Sequence, residues 1–265
     1  MMSTKQTAGA RPGPRIRQVP AVSRAIAILR LLGTAPEPMP LKAVADALSL
    51  VPSTCLHILR VLIAEGLVKL DSESKRYALD SGMLVLARSV IERNGFASLA
   101  QPGLDRLALA WGISTMGVEI QDSEHMVVLA LSRSRMPFAL HADVGSRFPA
   151  LISATGRLFA AFGGQPWPQM KRRFAALRWS KPIDFDTWKS EVELAREAGF
   201  AVDRDTYISG VTIVAVPLLD AAGRVTHALV GAGLTDQWNV MRVDALARDM
   251  QREAKQLSPL LVGRN

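Results

Sequence analysis

Cysteine is nearly absent: Cys55 stands alone in 265 residues, which excludes a disulfide scaffold and a thiolate-held metal cluster. Long apolar runs are missing as well. The longest, around Val211–Leu219, is about half the ~20 residues that a membrane-spanning helix needs, so no membrane partner is expected. The N-terminal stretch holds Arg11, Arg15 and Arg17 but no apolar segment of a secretory signal, and a cytoplasmic chain is expected. Catalytic signatures are equally scarce. There is no G-x-S-x-G elbow, no phosphate-binding P-loop and no G-x-G-x-x-G opening a helix. The histidines, His57, His125, His141 and His227, lack the H-x-x-x-H spacing of a zinc helix, so neither a metal nor a cofactor is expected. Asp203 and Asp205 would share a face on an extended chain. Nothing places a nucleophile near them, and a turn or pocket role fits better than acid–base catalysis. Aromatic residues make up only 6%, yet hydrophobic residues reach 49%, a globular composition long enough for one large domain or two ordinary ones.

Charge is unevenly placed. Residues 1–95 carry 13 Lys/Arg against 7 Asp/Glu, whereas residues 96–265 carry 19 against 17. The basic excess therefore sits in the first third, which points to an anionic partner for that third and to a different task for the remainder.

The patterning supports this division. Residues 1–20, rich in Arg, Gly and Pro with no apolar period, read as a disordered basic arm. In residues 21–80, Val22, Ile26, Leu29 and Leu32 recur at helical spacing. The proline-dense Thr34–Pro40 is a connector. A short helix over Leu41–Leu48 follows, then a tight turn at Ser49–Val51. Pro52 opens a third helix that runs to about Glu65, capped by Gly66. Leu67–Leu70 and Arg76–Leu79 read as the two strands of a wing. Residues 81–95 form a linker helix. Residues 96–265 mix helices (Leu99–Trp111, Leu151–Phe162, Trp167–Leu177, Phe185–Ala198, Val240–Leu257) with strands. The strands are Ser114–Gln121, Met126–Leu131, Phe138–Val144, Phe200–Asp203, Val211–Leu219 and Val225–Leu234. The mixture predicts an α+β domain with a largely antiparallel sheet.

Helix, tight turn, helix and hairpin together make a winged helix-turn-helix, whose second helix enters the DNA major groove. The third helix suits that task on both sides. Cys55, Leu59 and Leu62 follow i, i+4, i+7 spacing and form a core stripe. Ser53, His57 and Arg60 follow the same spacing on a separate polar face. Ser53 and Thr54 lie where free backbone N–H groups already favour a phosphate. His57 and Arg60 can reach base edges, arginine being the commonest reader of guanine. Lys75 and Arg76 in the wing, with Lys69 beside them, can hold the flanking backbone. An ordinary solvated helix face carries similar residues, so the weight rests on the composite.

These segments resemble the IclR family of bacterial transcription regulators. In the first third the likeness is carried by Val22-Ser-Arg-Ala-Ile-Ala-Ile-Leu29, Leu41-Lys-Ala-Val-Ala-Asp-Ala-Leu48, Pro52-Ser-Thr54 with Leu59, Glu65-Gly-Leu-Val68 and Tyr77-Ala-Leu79. In the remainder it is carried by Val144-Gly-Ser-Arg-Phe-Pro149, Ala154-Thr-Gly-Arg157, Ala195-Arg-Glu-Ala-Gly-Phe-Ala-Val-Asp203, Gly210-Val211 and Ala215-Val-Pro217. The resemblance implies an N-terminal winged helix-turn-helix, a linker helix and a C-terminal GAF-like/profilin-like effector-binding domain. It further implies double-stranded operator DNA and a small-molecule effector as partners, with dimers, commonly paired into tetramers, on palindromic sites. Ser49 stands where the family usually has glycine, and His57 where it often has arginine.

The same resemblance implies an effector lining of Leu140, then Ala154, Thr155 and Gly156 at a helix start, then Asp203, Ile213, Val230 and Ala232 on later strands. Small residues at a helix N-terminus let a carboxylate approach the backbone. Thr206 replaces a frequent glutamate, and Ile213, Val230 and Ala232 replace the cysteine and serines of members that bind small oxo-acids. Each change removes a polar partner, so an aromatic or aliphatic body carrying a carboxylate is expected. The core of a sheet would carry the same residues. Two other classes compete with a regulator. An enzyme tethered to DNA would show turnover in residues 96–265. An architectural protein would bind DNA regardless of ligand.

Overall fold

Proline sets where the first helices start, because its missing N–H is one the first turn leaves unbonded anyway. The computed structural model describes residues 19–93, 95–120, 124–133 and 142–262, and the chain divides into two compact units between Glu92 and Arg93. The expected basic arm lies, but for its last two residues, outside the described residues. In the first unit, α1 (Pro20–Thr34) leads through β1 (Met39–Pro40) to α2 (Leu41–Ala47) and α3 (Pro52–Ala64). Then come β2 (Val68–Leu70), β3 (Arg76–Leu79) and α4 (Gly82–Arg93). Ile28, Val44, Ala45, Cys55 and Leu59 form the buried centre.

The α2–α3 bend of 112° falls in the range of about 90–120° that defines a helix-turn-helix. Ser49 takes a left-handed conformation there, φ 53°, so serine adopts the turn that favours glycine. At the far end of α3, Gly66 (φ 68°) ends the helix. A Cβ on Gly82 would lie 2.3 Å from the Gly66 carbonyl oxygen, so the start of α4 sits directly on the end of α3. The wing departs from expectation. It has three strands in the order β1-β3-β2, because Met39 and Pro40, read as connector, pair with Tyr77 and Arg76.

The second unit runs α5 (Gly95–Trp111), β4 (Ser114–Ile120), β5 (His125–Ser132), β6 (Arg147–Pro149) and α6 (Ser153–Phe162). It continues through α7 (Trp167–Phe174), α8 (Phe185–Ala198), β7 (Ala201–Arg204), β8 (Val211–Leu219), β9 (Val225–Leu234) and α9 (Val240–Val262). The strands form an antiparallel sheet in the order β6-β5-β4-β9-β8-β7. Of the expected strand Phe138–Val144 only residues 142–144 are described, and they are not strand; the edge is β6, with Phe148 opposite Met126.

Strand alternation gives this sheet two apolar faces. Val214, Val216 and Leu229 pack with Leu104 of α5 and Leu246 and Met250 of α9. Met116, Ile213, Ala215, Val230 and Ala232 pack with Ala154 and Leu158 of α6 and Ala195 of α8. Among the described residues no single helix is long and apolar enough to cross a membrane.

Candidate DNA-reading face and effector layer

On α3 the sequence spacing becomes a two-sided rod. Cys55, Leu59 and Leu62 are buried, while Ser53, His57 and Arg60 are all exposed. Thr54 is half-buried. Val51 caps the helix without a side-chain bond, and the first helical N–H to be bonded is that of Cys55, to the Val51 carbonyl at 3.0 Å. The N–H groups of Ser53 and Thr54 lie ahead of it, at the positive end of the helix dipole.

In the wing, Asp71 accepts the N–H and the hydroxyl of Ser74, each at 2.7 Å. These bonds hold its carboxyl below the usual carboxylate range and shape the turn that sets Lys75 out into solvent at φ 55°. Arg76 is exposed too, but its Nη1 donates to the Pro38 carbonyl at 3.0 Å. That bond braces β1 and fixes where the guanidinium stands. Sequence reasoning missed Val61, which is 60% exposed and four residues on from His57, a placement suited to a thymine methyl. Its signal was a β-branched residue beyond the buried stripe.

In the second unit Ala154, Ile213, Val230 and Ala232 come together in one buried layer. Ile213 stands opposite Ala232 and Val230 opposite Met116. Thr155 and Gly156 are buried on α6, and a Cβ on Gly156 would lie 2.1 Å from the Leu151 carbonyl, so only glycine fits. Leu140 lies outside the described residues. Asp203 stands opposite Ile213 with both oxygens occupied. Oδ2 accepts from Arg157 Nη1 at 3.0 Å, and Oδ1 accepts the N–H groups of Thr206 and Tyr207 at 3.2 and 3.0 Å.

Arg157, 1% exposed, also donates Nη1 to the Ser153 carbonyl at 2.9 Å and Nε to Glu191 Oε2 at 2.7 Å. One guanidinium thus ties together the first turn of α6, α8, and the loop that follows β7. Ser153, at φ 61°, holds the entry to α6, and its Oγ accepts the Ala154 N–H at 2.6 Å. Sequence reasoning missed Arg157 as a site residue, although it closes the Ala154–Arg157 stretch. It missed Trp179 and Tyr207 too, whose rings pack on the same layer from two loops. Burial, and then the charge of Asp203, push the Tyr207 phenol up. Among the described residues no three His, Cys, Asp or Glu side chains gather as a metal site.

Comparison with known proteins covers both units. Residues 21–72 match the family model described as the IclR helix-turn-helix domain, and residues 88–259 the one described as the C-terminal domain of the bacterial transcriptional regulator IclR. The HTH-type transcriptional repressor AllR of Escherichia coli (strain K12) is 26% identical over 240 residues, 88% of each chain. An IclR transcriptional regulator from Alicyclobacillus acidocaldarius superposes with a TM-score of 0.78 at 24% identity, over 92% of this chain and 99% of that one. An IclR homolog from Microbacterium hydrocarbonoxydans, complexed with 4-hydroxybenzoate, superposes with a TM-score of 0.75 at 16% identity, over 90% of this chain and 98% of that one.

Proposed function

This chain belongs to the IclR family of bacterial transcriptional regulators, and from that premise we propose which residues read DNA and what kind of molecule is sensed. It is a ligand-responsive DNA-binding regulator. In the proposed complex, α3 lies in the major groove of an operator. Ser53 and Thr54 hold phosphates at its N-terminus, and His57 and Arg60 read base edges. Lys75 and Arg76 hold the adjoining backbone from the wing. The observation that carries this assignment is the joint exposure of Ser53, His57 and Arg60 above the buried Cys55, Leu59 and Leu62.

The protein acts as a homodimer or homotetramer in the cytoplasm, without enzymatic turnover. Exposed apolar side chains on the first unit, Val22 and Ile26 on α1 and Leu84 and Val85 on α4, support self-association. A two-fold dimer sets two α3 helices on half-sites about one helical turn apart, or a multiple of it. The effector has an aromatic or aliphatic body with a carboxylate. It lies among Leu140, Ala154, Thr155, Gly156, Asp203, Ile213, Val230 and Ala232, and changes DNA affinity by favouring one arrangement of the dimer. The apolar character of Ile213, Val230 and Ala232 supports such a body, as does the aromatic acid held by the Microbacterium homolog. Duplexes selected from a random pool should share an inverted repeat, and aromatic acids should shift their affinity. Selected sequences with no two-fold symmetry would contradict the dimeric reading.

A further inference from the structure

Two loops pack on the apolar layer beneath α6: residues 175–184, between α7 and α8, and residues 205–210, between β7 and β8. Leu177 and Trp179 come from the first, Tyr207 and Ile208 from the second. The loops are stitched by the Lys181 N–H, which donates to the Thr206 carbonyl at 3.1 Å. The second is held at both ends by carboxylates. Asp203 takes the N–H groups of Thr206 and Tyr207, and Asp205 Oδ1 accepts the Gly210 N–H at 2.9 Å and the Thr235 hydroxyl at 2.8 Å. Tyr207 is therefore presented from a braced turn.

Within this frame two donors have no use. Trp179 Nε1 is buried and has no hydrogen-bond partner among the described residues. The Tyr207 hydroxyl makes no hydrogen bond among the described residues. A buried donor left unpaired is costly and calls for an explanation. Trp188 and Trp238 carry orphaned indole N–H groups too, but Trp188 sits in the aromatic cluster with Phe174 and Trp238 against the opposite face of the sheet. Trp179 lies against Phe174 as well, at 5.5 Å between ring centroids, but among the described residues it alone joins an orphaned indole donor to the layer that carries Ala154, Ile213, Val230 and Ala232. The first turn of α6 offers less, because the Ala154 N–H is already taken by Ser153 Oγ.

We propose that Trp179 Nε1–H, with the Tyr207 hydroxyl of the loop stitched to its own, receives the carboxylate of an aromatic effector whose ring lies on Ala154, Ile213, Val230 and Ala232. Trp179 is thereby a specificity-determining residue. An acid pairs the idle donors, whereas a wholly apolar ligand of the same shape leaves the Trp179 indole N–H buried and unbonded. The inference rests on the effector-sensing role assigned to the second unit.

The test uses the full chain and 4-hydroxybenzoate as probe. Calorimetric affinity is compared for the wild type, Trp179→Phe and Tyr207→Phe. Trp179→Phe should weaken the acid about tenfold to hundredfold, as loss of a hydrogen bond to a charged group does. Tyr207→Phe should act in the same direction, and it alone decides the comparison if Trp179→Phe does not fold. In protein carrying isotope-labelled tryptophan, the Trp179 indole N–H resonance, identified by its loss in Trp179→Phe, should move downfield when the acid binds. A purely packing role would not produce that shift. Acid binding that leaves this resonance in place, or that neither variant weakens, overturns the inference. So does a wild type that binds selected DNA but no aromatic acid, while a wild type that binds no DNA defeats the regulator reading itself.

Discussion

On α3 the polar groups stand outside the core and uncommitted, whereas beneath α6 they are buried and already bonded to one another. Ser53, His57 and Arg60 are exposed, while Arg157 and Asp203 are 1% and 0% exposed and hold each other at 3.0 Å. The difference teaches what each surface can do. A face resting on Cys55, Leu59 and Leu62 can change its exposed residues with little effect on folding. The effector layer cannot, because its charges also hold α6, α8 and the Tyr207 loop in register. On the assignments proposed, specificity for DNA is written on the surface, and specificity for the effector is left to shape and to the few donors that the network does not use.

Substitutions can break this contrast, and the largest effect belongs to Asp203. Asp203→Ala takes the buried carboxylate from the Arg157 guanidinium and leaves it only the part-exposed Glu191, and breaking a buried pair costs up to about 3–5 kcal/mol. Urea unfolding should show the second unit melting at much lower denaturant. An unchanged midpoint would mean that the pair is not structural and that the contrast fails.

Next comes His227 on β9. Its ring lies 4.3 Å from Phe96, centroid to centroid, and burial pushes its pKa down to about 4 from an ordinary 6.5. The unfolded chain thus takes up this proton first. Stability should fall as pH drops from 6.5 to about 4 and level off below, a loss of about 3 kcal/mol from this group. His227→Leu should flatten that stretch of the stability–pH curve; an equal slope would place the titration elsewhere.

Arg60→Ala sharpens the comparison from the other side. It should cost about 1–3 kcal/mol in binding to selected DNA and leave the unfolding free energy within about 0.5 kcal/mol. A fluorescence titration paired with urea unfolding reads both, and a stability loss larger than the binding loss would reverse the assignment. Lys75→Ala is the mildest. It should weaken binding to every sequence alike and flatten the slope of log affinity against log salt by about 0.9, one phosphate contact. An unaltered slope would remove Lys75 from the backbone contacts.

Much of the fold was legible because its signals are local. The bounds of β8 and β9 follow from apolar runs around the turn Asp220–Arg224, and α8 begins where Asp184 accepts the N–H groups of Asp186 and Thr187. The two faces of α3 follow from 3.6-residue spacing alone. β1 was not legible, since two residues ending in Pro40 have no period and extend only because Tyr77 and Arg76 pair with them. Nor was the tie between Arg157 and Asp203, which stand 46 residues apart in a pairing that the fold creates. Trp179 gave no sign either. It lies in a loop beside Arg178 and Lys181, and its idle indole N–H exists only once the loop has packed.

The claim at the centre is that one exposed face of α3 carries the reading of DNA. The most direct test is the ratio of affinities for a selected duplex and its scrambled counterpart, measured for the wild type and for the combined Ser53→Ala, His57→Ala, Arg60→Ala variant. The ratio should collapse toward unity in the variant while residual, salt-sensitive binding survives through the wing. A variant that folds and keeps the wild-type ratio would contradict the account.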